Sequence, residues 1–466
     1  MTRHSVRRVP AIALVVGLGG LLVATRAFAP DAPSQPPTGS AVTAPSFPGG
    51  FIEPAVSTAV RARLRTAQTA ALLPERGRFT FPPPYNTQAI RLTNASDCGG
   101  QDCVNYVGYS YWRNMNNHTG SDTMLIVVTL ARNRGGPGPT LFSYNKTTDT
   151  VKKVGPLFSD DRFSWSTGEG WYFSAKQPHI LYVSYGPVLY RYDVIAHRFE
   201  TVFDISTRPD VFGKERYIWQ THSSDDDRVH SATLREQSTR RDLGCFVYRE
   251  DRHQFSAYPT KGFLYDECQV DKSGRWLLIK EKVTNDPKTD VDNRIVDLET
   301  GQETVLLDRD GAGGHSDNGY GYMVAADNMS VPGAIRLWKF GQPLVGPLVY
   351  RNTSRMNTAP NHVSHANARP DLAPEKQYVC GSGASKEDHP RANEIFCFPL
   401  DGSMRILVVA PVMTDMDAPG GCCDAYAKEP KGNLDVTGRY FLWTSNMGGA
   451  RLDAFIVKVP AQLLAN

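Results

Sequence analysis

The sequence carries no strong charge of either sign. Lys and Arg total 51 against 48 Asp and Glu, a formal net charge of +3 over 466 residues. No dense Lys/Arg stripe accompanies that balance, so a nucleic-acid partner is excluded on electrostatic grounds. A Gly-x-Ser-x-Gly elbow, a phosphate-binding loop and a dinucleotide fingerprint are all missing. The cysteines never show paired Cys-x-x-Cys spacing. Only Cys98/Cys103 and Cys422/Cys423 are clustered, which leaves a structural zinc site a weak reading. Long helices alternating with strands are absent too, which argues against a doubly wound sheet. One apolar run is long, residues 9–25, and it is marginal for crossing a bilayer.

That run follows Arg3, His4, Arg7 and Arg8 and precedes Ala27-Phe28-Ala29, the pattern of an export signal over residues 1–29. Pro30 just after the cut is unfavourable, so an uncleaved N-terminal membrane anchor is the alternative. The expected location is periplasmic or secreted, and the expected state is a monomer. Export makes the eight cysteines disulfide partners. Proximity and neighbouring strand signals pair Cys98 with Cys103, Cys245 with Cys268, and Cys380 with Cys397. Cys422 and Cys423 form either a vicinal disulfide or two free thiols. Residues 30–105 read as a Pro-rich linker with one helix at 53–73, where Ala59, Leu64, Ala67 and Ala71 share a face.

Residues 106–462 are short aromatic-aliphatic strands separated by turns. One turn recurs before a strand, as Asp271-Lys272-Ser273-Gly274-Arg275-Trp276 and Asp435-Val436-Thr437-Gly438-Arg439-Tyr440. A strand-turn-strand closure also recurs, as in residues 188–203, 294–307 and 395–408. The units begin near residues 118, 163, 218, 266, 314, 362 and 430. That period of roughly 40–50 residues predicts an all-β chain, a seven-bladed β-propeller of four-stranded blades. A pair of β-sandwiches or a β-helix is the competing architecture.

Aligned on the turn, Gln269 and Asn433 lie five residues before Gly274 and Gly438, and His222 lies five before Asp227. His315 lies four before Gly319, and His365 occupies the same part of its unit, with His118 a further candidate. Equivalent blade positions converge on one axis. His222, Gln269, His315 and His365 therefore form a candidate set for a borderline divalent cation. This ring and the blade rhythm resemble oligogalacturonate lyase. That resemblance implies a seven-bladed propeller with manganese held by three histidines and a glutamine, acting on acidic oligo- or polysaccharide. It covers roughly residues 106–460 as a pattern; the N-terminal extension, the cysteines and the turns depart from it.

β-Elimination needs a neutralised carboxylate, a base and an acid. The candidates are Arg369 as carboxylate clamp, His222 or His315 as base, and Tyr320 as acid. Glu267, Lys428 and Asn433 are candidate substrate contacts. Asp225-Asp226-Asp227 reads as a solvated turn rather than a calcium loop. The second functional reading is a non-catalytic propeller that binds a glycan or a protein.

Overall fold

A computed structural model describes residues 46–465 apart from 106, 117–119, 160–161, 164–169, 286–290, 328–330, 332, 343–344, 352–361 and 422–424. The export segment, His118, Cys422 and Cys423 therefore lie outside the described residues. Among the described residues no helix is long and apolar enough to cross a membrane.

The inner strand of a blade faces the axis and its middle strands are covered on both faces by neighbouring blades. Middle strands should then read as unbroken apolar runs, and they do. Leu277, Leu278 and Ile279 are fully buried, as are Ile395 to Phe398. Outer strands alternate instead, as Thr150–Pro156 does from exposed to half-buried. Seven antiparallel sheets result, and they form a seven-bladed β-propeller.

Blade one holds Thr123–Leu130, Gly138–Asn145 and Thr150–Pro156. Bridges from Val104 to Leu130 and from Met115 to Ile126 lay the preceding segment along its inner edge. Blade two runs from Tyr172–Phe173 to Arg198–Asp204, and blade three from Arg216–Ser223 to Gln254–Pro259. Blade four runs from Leu264–Val270 to Glu303–Leu306, and blade five from Gly313–Asn318 to Leu348–Arg351. Blade six runs from His362–Ser364 to Arg405–Pro411, and blade seven from Asn433–Leu434 to Asp453–Lys458.

The turn that marked the repeat also ties blades together. The Asp271 carboxylate accepts from the Arg275 and Trp276 amides of its own turn and from the Gly321 amide of the next blade, at 2.7 Å. Its counterpart Asp435 accepts from the Arg439 and Tyr440 amides. Glycine is required inside the second turn. Gly438 has φ +72°, and a Cβ there would lie 2.0 Å from the Tyr378 hydroxyl.

The segment expected as linker is part of the ring. Gln88–Arg91 pairs with Asp453–Lys458, and Gly77–Thr80 pairs with Gln88–Arg91, so the N-terminal segment completes blade seven. Phe51–Pro54 adds a fifth strand to the edge of blade six. The expected helix shrinks to Thr66–Leu72. Two features compete with it: the exposed edge of blade six offers ladder partners to residues 51–54, and Arg61 is drawn to Glu53 and Glu394 at 2.8 and 2.6 Å.

The disulfides Cys98–Cys103, Cys245–Cys268 and Cys380–Cys397 are present as expected. The last bridges directly opposed positions on neighbouring strands of blade six. Cys245–Cys268 joins blade three to blade four.

Candidate functional site

Three successive inner strands carry a β-bulge beside their chemistry-bearing residues. Register shifts between Trp219 and His222 in blade three, between Tyr265 and Glu267 in blade four, and between Gly313 and Ser316 in blade five. A bulge re-aims the side chains that follow it. His222 and Gln269 consequently turn into a small axial cavity of about 30 Å³, together with Trp112, Tyr172, Lys272 and Asp317.

His222 is the most distinctive group there. Its ring stacks on Trp112 at 4.9 Å, and the Trp112 indole is fixed by a 2.9 Å bond to the Thr221 carbonyl. The His222 Nε2 is buried with no hydrogen-bond partner. Burial lowers the imidazole pKa to about 4, against the opposing pull of Glu267 and Asp317. The ring is therefore neutral at pH 7, with an unsatisfied nitrogen in a polar cavity.

Glu267 and Gln269 sit side by side. The Glu267 carboxylate accepts from Lys280 at 2.7 Å, Tyr111 at 2.8 Å and the Gln269 amide at 3.0 Å. Burial alone would raise its pKa, but the Lys280 ammonium and His222 hold it well below the usual carboxylate range. Glu267 is thus an ionised, fully bonded anchor rather than a proton donor. The Gln269 carbonyl accepts from Asn318 at 3.2 Å, so both ends of this amide are already engaged.

His315 and His365 separate. The bulge in blade five leaves His315 exposed. It stacks on His362 at 5.0 Å, beside Tyr109. His362, not His365, is the blade-six imidazole next to it, and the buried His362 Nε2 has no hydrogen-bond partner. His365 lies one residue beyond the strand end. Its Nε2 accepts from Tyr322 at 2.6 Å, its Nδ1 donates to Asn367 at 3.2 Å, and its backbone amide donates to Asp317 at 2.5 Å. With both ring nitrogens engaged, His365 is a structural residue in this arrangement. An aromatic series, His362–Tyr109–Tyr111–His222, links the two imidazole positions at centroid spacings of 5.0, 5.4 and 5.6 Å.

The remaining candidates disperse. Tyr320 donates to Asp225 at 2.8 Å on a second cavity of about 490 Å³, at the turn end of the inner strands. Burial and that carboxylate push its pKa up. Asp225 also receives Arg113 at 2.7 Å, so part of the acidic run is an internal ion-pair partner rather than a purely solvated turn. Arg369 is exposed and pairs with Asp371 two residues on, which removes it from the cavity. Lys428 donates to the Met416 carbonyl at 2.9 Å. Asn433 is buried and donates to Asn114 at 3.1 Å, joining blade seven to blade one.

The expected manganese set does not assemble. Among the described residues no group of three or more His, Cys, Asp or Glu is arranged to hold a metal ion. Of the four expected ligands, His365 has spent both nitrogens, Gln269 both amide ends, and His315 stands with His362 rather than with His222. Sequence reasoning missed His362, Lys280, Lys272 and the tyrosines at 109, 111 and 172. The signal available for the first two tyrosines was the aromatic density of residues 109–112.

No protein-family model matches the chain. No curated protein matches it either. Among solved structures, an oligogalacturonate lyase in complex with manganese is 10% identical with a TM-score of 0.56, covering 83% of this chain and 97% of that one. The oligogalacturonate lyase of Vibrio parahaemolyticus is 11% identical with a TM-score of 0.57, again covering 83% and 97%. At such identities the likeness is one of fold. The chain is a seven-bladed β-propeller that resembles the oligogalacturonate lyases in architecture and differs from the expected manganese ligand set at its axis.

Proposed function

We propose that this protein is a periplasmic or secreted polysaccharide-active enzyme, a lyase that cleaves uronate-containing chains by β-elimination. The supporting observation is the His222 imidazole: neutral, buried, fixed by Trp112 and unpartnered at Nε2 inside the axial cavity. A neutral imidazole so placed is a general base. In the proposed reaction His222 takes the proton from the carbon next to the uronate carboxylate. The C–O bond to the leaving sugar breaks, a C=C bond forms, and the leaving oxygen takes a proton from a phenol of the cavity wall. Tyr172 lines that wall, whereas Tyr320 has committed its hydroxyl to Asp225. Lys272 and Arg113 supply the cationic side for the substrate carboxylate, and each is held in place by an aspartate, Asp317 or Asp225. The manganese of the structural neighbour motivates assays with and without that metal, but no step here depends on it.

The test is incubation of purified protein with galacturonate, glucuronate and mannuronate chains, followed by the ultraviolet absorbance of an unsaturated product. His222→Asn should keep the fold and lower turnover by about 10²–10⁴. Absence of product across the panel, with and without manganese, would overturn the lyase reading.

One observation favours a second reading, a non-catalytic glycan-binding propeller. Tyr109 and Tyr111, half-buried and stacked at 5.4 Å, form an aromatic surface of the kind on which sugar rings stack. Saturable binding of an uncleaved uronate chain, weakened by Tyr109→Ala, would support it.

A further inference from the structure

Behind the cavity wall, a run of short hydrogen bonds leads from Tyr172 of blade two into blade three, and the elimination chemistry above uses only its Tyr172 end. The Tyr172 hydroxyl lies 2.7 Å from Ser223 Oγ. Ser223 Oγ lies 2.6 Å from His230 Nδ1, and His230 Nε2 lies 2.6 Å from a Glu250 carboxylate oxygen. Tyr172 and Ser223 line the axial cavity, His230 is fully buried, and Glu250 reaches the outer side of the blade with its side chain 24% exposed. We propose that Tyr172, Ser223, His230 and Glu250 form a proton relay through blade three, with Tyr172 exchanging the proton with a ligand in the axial cavity.

The donor order is internally consistent. An ionised Glu250 can only accept, so His230 carries its proton on Nε2 and accepts at Nδ1. Ser223 then donates to Nδ1 and accepts from Tyr172. In this state the phenol oxygen presents lone pairs to the cavity and takes up a proton. When His230 is an imidazolium every bond reverses: Nδ1–H donates to Ser223, Ser223 donates to Tyr172, and Tyr172 donates to the ligand. One proton given to a leaving oxygen is then matched by one lost from His230 Nδ1, and neutral imidazole remains. No other reactant is needed.

The surroundings suit both states. Burial alone would raise the Glu250 carboxyl, but bonds from His230 and Arg191 carry it below its usual value, so it remains an anion beside the imidazole. The Arg191 guanidinium pairs with the same carboxylate. The rings of Tyr182, Tyr248 and Phe203 face His230 at 5.5, 6.4 and 6.4 Å. They exclude water from the middle of the relay. At the cavity end, burial raises the Tyr172 phenol, while Arg113 opposes that and Asp227 adds to it. The phenol is therefore protonated at rest.

The proposal rests on the lyase reading and supplies the proton behind its acid, and its test separates the two. The first measurement is an NMR pH titration of the full chain with ¹⁵N-labelled histidine, comparing wild type, Tyr172→Phe and Glu250→Gln. Tyr172→Phe should move the His230 Nδ1 resonance, although two hydrogen bonds separate the groups. Glu250→Gln should lower the proton affinity of His230 about tenfold. Identical His230 signals in wild type and Tyr172→Phe would overturn the relay. The second measurement is the pH profile of kcat on whichever uronate chain is cleaved. Glu250→Gln should move the alkaline limb to lower pH by the same tenfold, with KM unchanged; a merely structural Glu250 would lower stability without moving the limb, and that result also overturns the relay. If no chain is cleaved, the lyase reading fails and the histidine titration alone decides the relay.

Discussion

At the scale of single residues, burial sets the protonation state of the histidines near the axis. The imidazole pKa is lowered to about 4 at His222 and about 3 at His365, and it lies well below 6.5 at His362. In each case desolvation is the largest cause. An unfolded chain protonates these rings below about pH 6.5, while the folded chain does not until much lower pH. The unfolded state therefore binds more protons in that window, and stability falls with acidification. Each group contributes about 1.4 kcal/mol per pH unit once below 6.5. Unfolding free energies from denaturant titrations at pH 6.5, 5.5 and 4.5 should drop accordingly, and His365→Gln should flatten the slope by one such increment. A flat profile over this range would contradict the buried neutral assignment. Register explains why the sequence singled out His365 instead of His362. His362 starts the inner strand, and His365 follows its last residue, Ser364. Counting back from a turn does not reveal which of two nearby positions faces the axis, because a bulge or a strand end shifts the phase.

At the scale of elements, ring closure depends on strands that the sequence disguised. Gln88–Arg91 is a four-residue strand after a proline run, with a single strong apolar residue, Ile90. Ile90 is fully buried against Ile456, its register partner in blade seven. Arg91 adds a 2.5 Å ion pair to the buried Asp453. Ile90→Ala should lower stability by about 2–5 kcal/mol, as expected for a large-to-small change at a packed site. Urea unfolding measures this directly. A loss under about 0.5 kcal/mol, the range of an ordinary surface change, would mean that this strand is not what closes the ring. The pairing was hidden in the sequence because its partners are more than 360 residues apart, and no local periodicity encodes such a contact.

At the scale of the molecule, each blade is held to the next by the buried faces of middle strands, by turn carboxylates such as Asp271, and, among the described residues, in one place by a covalent link. Cys245–Cys268 spans blades three and four with a sequence separation of 23. Replacing both cysteines with alanine should cost about 3 kcal/mol through the entropy of the closed loop. Thermal unfolding of the variant against wild type checks this, and an unchanged midpoint would assign the bridge no role in stability. It also sits where the blades carrying His222 and Gln269 meet. The sequence by itself determined the strand-and-turn repeat, the number of blades and the three disulfide pairings. Those properties are encoded locally, in turn residues that demand one backbone geometry and in cysteines close along the chain or on strands of the same or successive blades. Only the tertiary structure decided which strands close the ring, which imidazole stands beside His315, and that Arg369 and Tyr320 are engaged elsewhere. Those outcomes depend on bulges, strand ends and carboxylate partners, and these fix where a side chain points only once distant segments have packed together.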